Sequence, residues 1–131
     1  MARTTNCPAE DRQLQPKAFA ESLAKAALEK KGRDVVIIDV GDILVVTDYF
    51  LIVSGATDRQ VKAIAEAVEA KAKAAGRRPY GVEGRREAVW VLLDFGDVVA
   101  HVFRQEERAY YELERLFKDA PQLELPEAAI P

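Results

Sequence analysis

The chain of 131 residues predicts a single α/β domain: a mixed β-sheet with flanking helices, in the order α-β-β-α-β-β-α. Three observations carry that prediction. Runs rich in Val, Ile and aromatic residues come in pairs. Stretches with apolar residues at helical spacing precede, separate and follow those pairs. Gly, Pro and Asp punctuate the junctions. A chain of this length buries about two thirds of its unfolded surface, so it needs no disulfide or metal to fold.

Residues 1–15 are polar and read as a flexible tail. They lack the apolar core of a secretory signal. Lys17 to Lys31 is rich in Ala, Leu, Glu and Lys, with Phe19, Leu23 and Ala26/Ala27 as an apolar stripe. Pro16 suits its first turn and Gly32 its stop. Val35 to Val40 reads as a strand apolar enough to be central. Gly41-Asp42 breaks it, and Ile43 to Val46 is apolar again. Tyr49 to Val53 is the next strand, ended by Ser54-Gly55. A helix starts near Asp58 with Thr57 or Asp58 as cap. Val61, Ile64/Ala65, Val68 and Ala72 face inward, and Gly76 ends it. Pro79 to Glu87 is a loop or irregular strand. A β-hairpin spans Val89 to Phe103, and a third helix runs from about Glu106 to Lys118, with Tyr110, Leu113 and Leu116/Phe117 inward. The domain therefore covers 16–120, and 121–131, with three of the six prolines, reads as a flexible tail.

Composition removes several function classes. Cys7 is the only cysteine, so there is no internal disulfide and no cysteine cluster for zinc, which suits a reducing, cytoplasmic setting. No apolar run approaches the roughly 18 residues a membrane span needs. A net charge of −3 does not favour nucleic acid, but it permits a basic protein partner or a local basic patch. Such a patch gathers at Lys71, Lys73, Arg77, Arg78, Arg85 and Arg86. The simplest reading is a solvated helix end and loop, and phosphate contact with RNA is the minority one.

Catalytic readings are thin. Ser54 or Cys7 with His101 would be the only nucleophile–base pairs, and Gly-x-Ser-x-Gly is absent. Asp94 and Asp97, like Asp39 and Asp42, flank turns and read as turn-forming carboxylates rather than metal ligands. Ser54-Gly55-Ala56-Thr57 leads into a helix N-terminus that could hold an anion, with one glycine where phosphate loops have several.

The hairpin is the most informative stretch. It holds the only Trp and the only His, Trp90 and His101. With an even loop, Val89, Val91, Leu93, Val98, Ala100 and Val102 share one face, and Trp90, Leu92, Val99, His101 and Phe103 share the other. The first face is aliphatic and fit for helices. The second is aromatic and mixed. Trp90 reads either as a core residue or as an interface anchor, and three helices of modest apolar width leave surface for a partner.

Read together, several stretches resemble one family, the ribosomal silencing factors (Iojap or YbeB-type proteins). They are Asp48-Tyr49-Phe50 before Ser54-Gly55; Arg59-Gln60-Val61 with Ile64-Ala65; Gly81-Val82-Glu83-Gly84; Trp90 to Asp94 with Gly96 to Val99 and His101-Val102-Phe103; and Arg108, Tyr110-Tyr111, Leu113-Glu114 and Asp119-Ala120-Pro121. The resemblance runs from about residue 17 to 121. It departs at Phe117, where the family usually has Trp, and at Ala100, where a larger aliphatic is common. The resemblance implies a fold related to nucleotidyltransferases and a regulator without enzymatic activity or cofactor. It implies binding to the large ribosomal subunit through its protein L-fourteen, a block of small-subunit joining that represses translation when nutrients are short, and a homodimer when free. Carried over by motif, Glu83, Gly84, Trp90, Leu92, Asp94, Asp97, Val99 and His101 are the implied partner contacts, and the 71–86 basic segment could touch nearby ribosomal RNA. The rival is a nucleotidyltransferase-like, nucleotide-binding enzyme. That template wants Gly-Ser and then Asp-x-Asp, whereas this chain has Ser54-Gly55 and carboxylates three apart. A homodimeric module with another partner is the third reading.

Overall fold

The computed structural model describes residues 15–123 and Leu125, so residues 1–14 of the expected N-terminal tail lie outside the described residues. Helix α1 spans Pro16–Glu29, with Pro16 in its first turn. Strands β1 (Arg33–Asp39) and β2 (Tyr49–Gly55) follow, then α2 (Asp58–Ala74), β3 (Gly81–Glu83), β4 (Trp90–Asp94) and β5 (Val98–Arg104). Two short helices, α3 (Gln105–Tyr111) and α4 (Leu113–Leu116), lead to β6 (Gln122–Leu123). The six strands form one sheet in the order β3-β4-β5-β2-β1-β6. Among the described residues, only β2 and β5 pair in parallel, the arrangement expected when α2 separates them in the chain.

Local chemistry fixes the helix ends. The Thr57 hydroxyl accepts from the Gln60 backbone N–H, and the Gln60 side-chain oxygen accepts from the Ala56 N–H at 2.6 Å. The same side-chain amide donates to the Lys31 carbonyl, tying the start of α2 to the end of α1. This self-capping leaves the α2 N-terminus closed to the anion considered above. At the end of α1 it is Lys31, not Gly32, that is left-handed, with φ 67°. Gly32 serves close packing instead, because a Cβ there would lie 2.6 Å from the Val53 side chain.

Strand register divides the sheet into two faces. Leu92 pairs with His101 and Asp94 with Val99 around a two-residue Gly96-Asp97 turn, so the loop is even and the expected grouping of faces is realised. His101 aligns with Ile52, which aligns with Val36, and Val99 aligns with Phe50, which aligns with Ile38. The opposite face carries Val91, Leu93, Ala100, Val102, Leu51, Val53 and Ile37 and packs on α1 and α2 as the main core. A smaller cluster on the first face joins Ile38, Phe50, Ile52 and Phe103 to Phe117 and Ala120.

Three expectations are corrected within the expected mixed α/β fold. Beside β3, which falls in the stretch read as a loop or irregular strand, the order gains a short strand, β6. This strand pairs with β1 at Gln122–Leu123, inside the segment read as a tail. It occupies an edge whose backbone groups would otherwise stay unpaired. Since β6 is only two residues long, β1 lies next to the edge rather than at the sheet centre, where β5 and β2 run. The third helix is broken at Glu112, which is left-handed at φ 48°. Tyr110 and Leu116 consequently point outward, 80% and 75% exposed, while Phe117 is buried. The break lets Glu114 fold back onto Arg108, whose guanidinium also donates to the Asp34 carbonyl and the Ser54 hydroxyl. That clamp holds both short helices on the sheet.

Candidate functional site

The first sheet face is covered over only part of its area. Leu113, Phe117 and Ala120 pack over its β1–β2 side. Trp90 stacks on Phe103 at 4.7 Å, and Tyr111 of α3 leans on it at 5.0 Å, so Trp90 is half-buried by its own chain. Among the described residues, the cover stops toward the hairpin turn. A groove of about 500 Å³ opens there, lined by Leu92, Asp94, Val99 and His101 from the sheet and by Leu44, Val46, Thr47 and Tyr80 from two loops. The rim is apolar and exposed: Val46 is 82% and Tyr80 83% exposed, and the adjacent Val45 is fully exposed.

His101 lies in this site but is buried. Its Nδ1 is 3.2 Å from Trp90 Nε1, and an indole N–H only donates, so Nδ1 accepts and the ring proton sits on Nε2. Burial lowers its pKa from 6.5 to about 4, so it is neutral near pH 7. The Phe50 ring meets it edge-on at 4.7 Å. Among the described residues, Nε2 has no hydrogen-bond partner, and the same holds for the buried Thr47 hydroxyl in the loop above. The Ser54 hydroxyl accepts from Arg108 and His101 accepts from Trp90, so the one nucleophile–base pair within the described residues is not assembled.

The other sequence-derived residues divide by role. Glu83 is exposed on the row of Leu92 and His101, at the β3 edge. Gly84 has φ 79°, and a Cβ there would collide with the Trp90 carbonyl, so it serves the backbone. Asp94 accepts from the Gly96 N–H at 2.8 Å and caps the turn. Asp97 is held by Arg77 through two hydrogen bonds, at 2.7 and 3.2 Å. Arg77 also donates to the Phe95 carbonyl and lies 4.2 Å over the Phe19 ring. Arg77 is therefore a structural clamp rather than a free cation of a basic patch. Arg85 is paired with Glu69, and with Arg86 it lines a hollow beside α2 and Val91, on the helix-covered side. Lys71, Lys73, Arg78 and Arg86 are exposed. Sequence reasoning missed Tyr80, Thr47 and the rim role of Val46. The available signal was Ile43 to Val46, an apolar run too short and too loop-bound to be a strand.

Among the described residues, no helix is long and apolar enough to cross a membrane. The family described as "Ribosomal silencing factor during starvation" matches residues 13–130. The chain is 43% identical over 112 residues to the ribosomal silencing factor RsfS of Bacillus subtilis, covering 86% of this chain and 95% of that one. It is 45% identical over 97 residues to the RsfS of Halalkalibacterium halodurans, covering 74% and 83%. A crystal structure of a protein from Chromobacterium violaceum superposes with a TM-score of 0.77 at 34% identity, over 79% of this chain and 86% of that one. The sequence, the mixed six-stranded sheet and these relatives agree: the chain belongs to the ribosomal silencing factor family.

Proposed function

We propose that this chain is a translation regulator without enzymatic activity. It docks on the large ribosomal subunit through ribosomal protein L-fourteen and blocks joining of the small subunit, repressing translation when nutrients are limiting. The observation that carries this reading is the uncovered part of the first sheet face. A monomeric protein rarely leaves a contiguous apolar surface open unless something docks there, and Leu92, Val99, Val46 and Tyr80 form such a surface. Its sheet edge bears Glu83 and its lining Asp94, which with the net charge of −3 suits a basic ribosomal protein and speeds encounter. Trp90 supports the site from beside it. Lys71, Lys73, Arg78 and Arg86 are the cations available for a peripheral contact with ribosomal RNA, with Arg77 and Arg85 already engaged.

Exposed Tyr110, Tyr111 and Leu116 on α3 and α4 favour self-association as the free state, through a patch separate from the groove lining. The test is a sucrose gradient of purified large and small subunits with increasing protein. The protein is expected to travel with large subunits while joined ribosomes decline. Unchanged joining at saturating protein would sink the proposal.

A further inference from the structure

We propose that the groove beside the hairpin turn is a socket for one neutral peptide unit of a protein partner, whose carbonyl is received by the Nε2–H of His101 and whose N–H is received by the hydroxyl of Thr47. This rests on the docking reading above and adds the chemistry of what docks. Among the described residues, two buried side chains that line one groove, His101 and Thr47, each hold a polar atom without a partner, whereas the third buried polar side chain, Ser54, is satisfied. Native interiors rarely leave such atoms unpaired, so a pair of them in a single surface groove points to a group that arrives from outside.

The ring chemistry fixes which group. Trp90 donates to Nδ1, so Nε2 carries the proton and requires an acceptor. Asp94 is the only formally charged residue in the lining, and its carboxylate disfavours an acidic acceptor. A backbone carbonyl is neutral, and the same peptide unit offers an N–H. Thr47 Oγ1 accepts as readily as it donates. The apolar remainder, Leu44, Val46, Phe50, Leu92 and Val99, takes the partner side chain next to that peptide unit. Both polar atoms are closed over in the free protein, so the partner reaches them by shifting the groove wall, in which Leu44 is half-buried. Trp90 is thereby a positioning residue: its indole N–H selects the tautomer that binds.

His101 is the only histidine, so its ring is read without ambiguity in the intact chain. A long-range nitrogen–proton NMR spectrum of the ¹⁵N-labelled protein at pH 7 should show protonated Nε2 and bare Nδ1; protonated Nδ1 overturns the proposal. In Trp90→Phe, both tautomers should be populated, and a spectrum identical to wild type would remove the positioning role. Binding is read by sedimentation with purified large subunits. His101→Gln, which returns an N–H donor near the Nε2 position, should stay within about threefold of wild type, whereas His101→Asn, His101→Leu and Thr47→Val should lose about tenfold. Equal binding by all four overturns the socket and leaves the docking reading standing. No binding by wild type overturns both. Loss of self-association in an ultracentrifuge with subunit binding unchanged would make a second copy the occupant and overturn the proposal. Thermal melts check each fold, and the wild-type NMR result stands even if His101→Leu fails to fold.

Discussion

Protonating His101 in the folded protein would place a cation among Phe50, Trp90 and Phe103 with no carboxylate bonded to it. The folded protein therefore resists the proton, down to a pKa of about 4 against 6.5 when unfolded. Below 6.5 the unfolded chain binds the proton first. The contribution to stability is full above pH 6.5 and falls as the pH drops toward 4, by about 3 kcal/mol in all. Urea unfolding at pH 7 and pH 4 should show this loss, and His101→Gln should lose less over the same interval; parallel slopes would refute the burial argument. Gly84 makes the second residue-scale prediction. Its positive φ and the Trp90 carbonyl facing it leave no room for a methyl group. Gly84→Ala should cost about 2 kcal/mol or more in urea unfolding. Its motif position marked it in the sequence as a partner contact, and the backbone adds a structural role that the sequence did not show. The same holds for Asp97, whose bond to Arg77 joins positions twenty residues apart that no local pattern links.

At the scale of elements, the β4–β5 hairpin was legible because a two-residue Gly-Asp turn fixes the register, and register fixes both faces. Helix α2 was legible for a similar reason, since Thr57 caps it locally and Val61, Ile64, Ala65, Val68 and Ala72 recur at helical spacing. The end of the chain was not. A two-residue strand has no period, and nothing in Tyr111-Glu112-Leu113 announces a left-handed residue. The break at Glu112 depends on Arg108 reaching Asp34 and Ser54, contacts far away in sequence. Two predictions belong here. Arg77→Lys keeps the charge but not the fork, so it should destabilise nearly as much as Arg77→Ala, by about 2 kcal/mol, as measured by urea unfolding. If Arg77→Lys were neutral, charge alone would suffice and the clamp would be misread. Glu112→Gly should be neutral or stabilising, by up to about 1 kcal/mol, because the left-handed conformation suits glycine. A marked loss would mean that the Glu112–Arg115 pair holds the bend.

For the whole molecule, one sheet face is finished by α1 and α2 and the other is finished only in part. The sequence alone called for this asymmetry, since its helices were too few and too narrow for two wide apolar faces. It could not say where the gap would fall, because that depends on α3 and α4 sitting over β1, β2 and Trp90 rather than over the turn. The gap puts Leu92, Val99, Val46 and Tyr80 on one side, and Arg85 and Arg86 beside α2 on the other. Apolar docking and any basic contact are thus separable by mutation. The most direct measurement is sedimentation of two surface variants with purified large subunits: Val46→Asp on the groove rim, and Lys62→Glu beside Arg85 and Arg86 on α2. Both positions tolerate charge without disturbing the core. Val46→Asp should weaken binding about tenfold or more, with Lys62→Glu within about twofold of wild type. The reverse order, or equal binding by both, would contradict docking through the open sheet face.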